Sequence, residues 1–254
     1  MKKAISYTLI FLGLQLLVST PVNIAIKVLE MRHIVNSPYL ILVPMILTSV
    51  VSIAVFVKAG WAPVSRNYLL TRPWSVLFWS ALAALGIVIP SVALQELLPE
   101  LPNIVEQELS RIMNTRGGYF VVCLLAPVTE ELVFRGAVLR TLLGSRSPLV
   151  AIAISALFFA AVHMNPAQMP HAFLSGLLLG WMYWRTGSII PGVVLHWVNN
   201  TVSYVLIKLY PDPDMRLIDL FGTNRHVGAA VIFSLFILLP AIYQLSLLMK
   251  RADQ

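Results

Sequence analysis

Long runs of apolar residues, separated by short polar connections, recur along almost the whole chain. A helix needs roughly 20 mostly apolar residues to cross the hydrocarbon core of a bilayer. Eight segments approach or reach that length: about 4–30, 38–59, 74–95, 119–143, 148–164, 170–185, 189–209 and 228–249. The pattern therefore predicts an all-α fold, a polytopic membrane bundle of about eight transmembrane helices.

Two connections are long enough to have structure of their own. In residues 100–117 four apolar residues fall on one helical face, which suits a helix lying in the membrane interface or a lead-in to the fourth span: Val105, Leu109, Ile112 and Met113. An ordinary solvated connector fits the same segment equally well. Residues 210–226 are rich in Pro and Asp and predict a polar loop.

These connections divide the chain into three parts. We expect N-terminal transmembrane helices with an interfacial segment over 1–118, a core over 119–209, and a polar loop with a C-terminal transmembrane helix over 210–254.

Composition narrows the class of protein further. Of 254 residues, 58% are apolar or aromatic and 11% are charged, whereas soluble domains carry about 25% charged residues. A water-soluble domain and a nucleic-acid-binding domain are therefore excluded, and we expect no nucleic-acid partner. The net charge of +7 reflects Lys and Arg retained in loops. Short loops and the single cysteine, Cys123, favour a multi-pass protein of a bacterial inner membrane.

Ionisable residues inside a span are costly, about 2.5–3.5 kcal/mol for a central charge, and they commonly mark function. The fourth span contains Glu130, Glu131 and Arg135 in an otherwise apolar run. Glu131 and Arg135 are four residues apart and can pair on one helical face, which leaves Glu130 as the free carboxylate. A network that only holds helices together, or a proton or ion path, would use the same residues.

Two further spans contain buried polar residues. Counting about 1.5 Å per residue from the loop at 144–147 places Glu130 roughly 20 Å and His163 roughly 22 Å away, so the two can meet at one level. The seventh span contributes His196 and Asn200, which are four apart and share a face. The three spans together predict one site rather than three separate features.

A carboxylate and an imidazole can jointly activate a water molecule for attack on a carbonyl group. Imidazole and amide N–H groups, here of His196 and Asn200, can stabilise the resulting oxyanion. The same residue types also suit Zn²⁺, with Glu130, His163 and His196 as the ligands if a metal is present. The sequence requires no cofactor, and a divalent metal such as zinc is compatible with it.

The three groups of residues resemble the CPBP family, the CAAX protease and bacteriocin-processing family of intramembrane peptidases, also called the Abi family. Glu130, Glu131 and Arg135 match its EExxxR motif, and Phe159 and His163 match its FxxxH motif. His196 and Asn200 match HxxxN, and the resemblance covers residues from about 119 to 205.

The resemblance implies an intramembrane endopeptidase acting on a membrane-associated protein or peptide. By analogy, Glu130 activates water with His163 as its partner, His196 and Asn200 are the oxyanion donors, and the supporting residues are Glu131, Arg135 and Phe159. The catalytic type is glutamate-dependent or metal-dependent.

Two other functions remain open from the sequence. A membrane peptide-binding or bacteriocin immunity protein would bind a peptide without cutting it. A proton-coupled transporter would use the same carboxylates and histidine as a relay, but it predicts repeated halves with broken helices, which the sequence does not contain.

Overall fold

The computed structural model describes residues 1–34, 36–63, 74–210, 212 and 215–249, and these residues form helices and connections without any strand. Its helices are α1 (Lys2–Met31), α2 (Val43–Lys58), α3 (Trp74–Glu96), α4 (Glu106–Asn114), α5 (residues 120–143), α6 (Pro148–Val162), α7 (Met169–Thr186), α8 (Ile190–Leu209), α9 (Leu217–Phe221) and α10 (Asn224–Leu248). A 3₁₀ turn, Pro38–Leu42, leads into α2. The predicted all-α class is confirmed.

Helix α5 changes its winding along its length. Two π-helical segments, Phe120–Leu125 and Leu132–Leu139, flank the α-helical segment Ala126–Glu131, and Arg140–Leu143 completes the helix. π-Helical turns are rare and frequently occur at functional sites. In α5 they lie immediately before and after the segment that contains both glutamates.

Five helices in the described part of the chain are long and apolar enough to cross a membrane: Lys2–Met31, Pro38–Lys58, Trp74–Glu96, Ile190–Leu209 and Asn224–Leu248. They support a membrane protein, but the predicted count of eight is not confirmed. The remaining three predicted spans correspond to α5, α6 and α7. Helix α6 has 15 residues and π-helical segments interrupt α5, so their crossing of the bilayer stays a prediction.

Both longer connections contain a helix. Helix α4 lies within residues 100–117, and its Ile112 and Met113 are buried against the rest of the molecule. The prediction of a polar loop over 210–226 is wrong in part, because α9 lies inside it. The backbone N–H of Arg216 donates to Asp219 Oδ2 at 2.9 Å, and this bond holds the first turn of α9.

The main hydrophobic core surrounds the second half of α5, where every residue from Leu132 to Leu139 is buried. Next to this part of α5, helices α6 and α7 pack closely against each other, because two glycines of α7 face α6. A Cβ atom on Gly176 would lie 3.1 Å from Cα of Ala156, and one on Gly180 would lie 3.0 Å from Cγ2 of Ile152. This close packing brings the polar residues of α5, α6 and α8 into one interior.

Candidate active site

The predicted ion pair in α5 is present. Arg135 Nη1 donates to Glu131 Oε1 at 2.9 Å, and both side chains are almost fully buried. Arg135 Nη2 donates to the backbone carbonyl of Gly176 on α7 at 3.2 Å. A buried charge is tolerated only when it is paired and hydrogen-bonded, so this pair is a fixed structural part of the interior.

Phe159 on α6 lies at the centre of the polar residues. The guanidinium carbon of Arg135 is 4.4 Å from the centre of its ring, a cation–π contact. The rings of His163 and His196 approach the same phenyl ring edge-on, with centroid distances of 4.9 and 5.7 Å. Phe159 therefore positions the guanidinium and both imidazoles, which explains the value of an aromatic residue four positions before His163.

His196 on α8 contacts both glutamates of α5. Its Nδ1 lies 3.1 Å from Glu131 Oε1, and its Nε2 lies 3.7 Å from Glu130 Oε2. Because Glu131 is an acceptor held by Arg135, the Nδ1–H of His196 donates to it. In the neutral ring Nε2 is then left as an acceptor directed towards Glu130.

The two glutamates differ in environment as their spacing predicts. The Glu131 side chain has no exposed surface, whereas that of Glu130 is 23% exposed. Glu130 lines a cavity of about 480 Å³ that also borders α1, α2 and the start of α4. Glu130 is therefore the carboxylate that a molecule from outside the bundle can reach.

His163 follows the last residue of α6 and is held by its own helix. Its Nδ1 donates to the Phe159 backbone carbonyl at 2.8 Å, so Nε2 of the neutral ring is an acceptor. Among the described residues His163 makes no ion pair with a carboxylate. The predicted meeting of His163 with Glu130 therefore stays a prediction, and the imidazole that contacts Glu130 is His196.

Asn200, one turn after His196, links α8 to the first segment of α5. Its Nδ2 donates to the Val122 carbonyl at 3.0 Å, and its Oδ1 lies 3.4 Å from Asn199 Nδ2. The Val122 carbonyl lies in the π-helical segment Phe120–Leu125. One of the two Nδ2 hydrogens of Asn200 is thus committed to this contact and one is not.

A second polar group extends the site and was not predicted from the sequence. The Ser91 hydroxyl on α3 donates to the Val88 carbonyl at 2.9 Å, so its oxygen accepts from Nδ1–H of His171 at 2.8 Å. The buried His171 ring faces the side chain of Asn199, and neither His171 Nε2 nor Asn199 Oδ1 makes a hydrogen bond to any other described residue. His171 lies in the first turn of α7 and by position resembles a loop-end residue, so no sequence signal distinguishes it.

The residues present do not fit a three-ligand metal site. In the described ranges, no three His, Cys, Asp or Glu side chains are grouped so that they could hold a metal ion. Of the set that the sequence offers, His196 and Glu130 are neighbours, and His163 keeps Nε2 free because its Nδ1 is bonded to a backbone carbonyl, but the three are not grouped as one site. That no cofactor is required, with a divalent metal such as zinc as the alternative, stays a prediction.

Comparison with known protein families gives a match to the central part of the chain. Residues 114–202, about a third of the chain, match the family model described as Type II CAAX prenyl endopeptidase Rce1-like. No curated protein and no solved structure matches. The matched segment runs from the end of α4 into α8 and includes all seven residues of the three motifs. This match confirms the resemblance to the CPBP family of CAAX proteases.

Proposed function

We propose that this protein is an intramembrane endopeptidase that hydrolyses a peptide bond in a membrane-associated protein or peptide. The observation that carries the proposal is the position of His196, whose two ring nitrogens face the buried Glu131 and the accessible Glu130. The five apolar helices and the matched family support the setting in a bilayer and the class of substrate.

Glu130 and His196 are suited to orient the attacking water. Glu130 Oε2 and His196 Nε2 are both acceptors and lie 3.7 Å apart, so one water molecule can donate a hydrogen to each. Its lone pair then points away from both groups, towards a substrate carbonyl. As the water oxygen bonds to the carbonyl carbon, Glu130 takes its proton.

Asn200 supports the negative charge that develops on the carbonyl oxygen. Its second Nδ2 hydrogen is free to donate, while the bond to Val122 fixes the amide plane. Removal of one oxyanion donor typically costs about 10²–10³ in rate. Because Nδ1 of His196 is committed to Glu131, this proposal replaces the expected oxyanion role of His196 with that of orienting water.

His163 completes the transfer of the proton. Its Nε2 is an acceptor in the neutral ring, so it can take the proton from Glu130 and return it to the leaving nitrogen. The C–N bond then breaks, giving one new carboxyl group and one new amine. Glu131, Arg135 and Phe159 hold these groups in place and do not touch the substrate.

The test is a survey of new protein N-termini in membranes of cells that express wild type or Glu130→Gln at matched levels. We expect N-termini that require the wild type and that are also lost in His163→Ala. Glu100→Gln changes an exposed glutamate outside the site and is the matched control. Equal sets of N-termini in the wild type and Glu130→Gln would refute the protease and favour a role in binding without cleavage.

A further inference from the structure

The cavity that exposes Glu130 has polar as well as apolar side chains on the side opposite the motif helices. Helix α1 contributes Gln15, Ser19 and Asn23, which are four residues apart and therefore form one stripe along the helix. Helix α2 contributes Thr48 and Ser49. Neither helix contributes to the matched family segment, so these residues are unrelated to the three motifs.

A contact between two aromatic rings shows at which depth in the bundle this stripe lies relative to Glu130. Phe11 on α1 packs edge-on against Phe134 on α5, with their centroids 5.7 Å apart. The cavity is lined by residues that follow Phe11 in α1 and by residues that precede Phe134 in α5. The two helices therefore run in opposite directions. Gln15 is one turn forward from Phe11 and Glu130 is one turn back from Phe134, so both lie at one depth.

Most of the polar groups that α1 and α2 direct to this cavity have unused hydrogen-bonding capacity. Thr48 is 8% exposed, lines the cavity, and its buried Oγ1 has no hydrogen-bond partner in the described structure. The amides of Gln15 and Asn23 also make no hydrogen bond with any described residue, whereas Ser19 is bonded to its own helix at 2.6 Å. Unpaired polar groups inside a membrane helix are costly, and such residues mark binding paths.

An extended peptide needs the groups that this stripe offers. A peptide strand inside a membrane protein must satisfy its backbone N–H and C=O groups with protein partners. From Gln15 to Asn23 the stripe is about 12 Å long at about 1.5 Å per residue, which matches three to four residues of extended chain. The cavity volume of about 480 Å³ lies within the ordinary range of ligand sites, about 300–1,000 Å³.

We propose that the cavity between α1, α2, α4 and α5 binds an extended segment of the substrate peptide, with Gln15, Asn23 and Thr48 hydrogen-bonding to its backbone. The proposal rests on the proposed endopeptidase function and identifies where its substrate lies. Among the described residues that line the cavity, Glu108 at the start of α4 and Glu130 are the charged ones, and both are acidic. A neutral or basic segment therefore fits better than an acidic one.

The experiment compares rates of appearance of Glu130-dependent N-termini at matched expression. The double variant Gln15→Leu with Thr48→Val removes the hydrogen bonds, and Thr20→Val removes an exposed hydroxyl of α1 outside the cavity lining. Two lost hydrogen bonds of ordinary strength predict a rise in KM of about tenfold or more for a synthetic peptide spanning the cut, with a smaller change in kcat. Thr20→Val should behave as wild type.

The outcomes separate this proposal from the proposed function. If Glu130→Gln loses no N-termini, the endopeptidase fails and the binding site falls with it. If Glu130-dependent N-termini exist and the double variant makes them at the wild-type rate, only the binding site is overturned. If the double variant unfolds, the single variants Thr48→Val and Thr48→Ser replace it. Thr48→Val loses the hydroxyl and should raise KM, whereas Thr48→Ser keeps the hydroxyl and should retain the wild-type KM.

A labelling measurement tests the cavity without any cleavage. Cys123 is fully buried and is the chain's single cysteine, so Cys123→Ala gives a thiol-free background. In that background Ser49→Cys should react with a charged, water-soluble thiosulfonate reagent at least tenfold faster than Leu47→Cys, on the exposed apolar face of α2. Equal or reversed rates would mean a cavity closed to polar molecules and would overturn the proposal.

Discussion

Gly192, near the start of α8, lies against the buried carboxylate of Glu131, and its replacement by alanine tests the arrangement of the site. A Cβ atom at this position would be 2.9 Å from Glu131 Oε2, whereas ordinary contacts begin at 3.4 Å. The carboxylate must therefore move by about 0.5 Å. It is not free to do so, because Oε1 of the same group accepts from Arg135 at 2.9 Å and from His196 at 3.1 Å.

The size of the effect follows from these distances. A displacement of that size directly away from His196 would lengthen this contact from 3.1 Å to about 3.6 Å, which is no longer a hydrogen bond. Loss of a hydrogen bond to a charged group costs about 1.5–3 kcal/mol, and alanine instead of glycine in a helix returns about 1 kcal/mol. Gly192→Ala should therefore lower the free energy of unfolding by roughly 0.5–2 kcal/mol.

Gly192→Ala should cost more free energy in the transition state than in folding. Alanine stabilises the helix relative to glycine, but this does not help His196 to orient water. A loss of about 1.5–3 kcal/mol in the transition state corresponds to a rate about 10–150 times lower. Thermal unfolding in detergent and the rate of Glu130-dependent cleavage measure the two effects. The matched control is Gly228→Ala in α10, where a Cβ atom meets nothing within 4 Å. If Gly192→Ala is as stable and as active as this control, the proposed role of the Glu131–His196 contact is refuted.

Three further variants test other contacts by thermal unfolding in detergent and by cleavage rate. Arg135→Gln should lower the free energy of unfolding by about 3–5 kcal/mol, because Glu131 then remains buried without its partner. The double variant Arg135→Gln with Glu131→Gln should regain most of this stability but not the activity, and no regain of stability would contradict the pairing. Phe159→Leu should cost about 1–3 kcal/mol through the lost guanidinium and imidazole contacts, and unchanged cleavage would argue against its positioning role. Arg185→Met should cost about 1–3 kcal/mol, because Arg185 donates to carbonyls at the end of α10, with wild-type cleavage by the folded protein.

The central part of the site was predictable because helical spacing fixes it. Residues four apart on a helix share a face, so the pairing of Glu131 with Arg135 followed from the sequence alone. The difference between Glu130 and Glu131 followed as well, since consecutive helical residues point about 100° apart. The class of fold was set by the long apolar runs and the low content of charged residues.

Contacts between distant helices were not predictable in the same way. That His196 contacts both glutamates depends on the rotation of α8 about its axis, which its own sequence does not determine. His171 and Ser91 are 80 residues apart, and neither belongs to a motif. The number of spans stays a prediction: five helices are long and apolar enough to cross a membrane, whereas α6 has 15 residues and π-helical segments interrupt α5.

The shortness of α6 has a consequence for the surrounding lipid. Its 15 residues extend about 22 Å, about 8 Å less than the hydrocarbon thickness of a typical bilayer. A helix of this length that begins at one surface ends well below the other, and His163 stands at that end. Either the bilayer thins beside α6 or its acyl chains give way to water there. Hydrophobic mismatch would then bring solvent to the imidazole from the side, and lipids with shorter acyl chains would relieve the deformation.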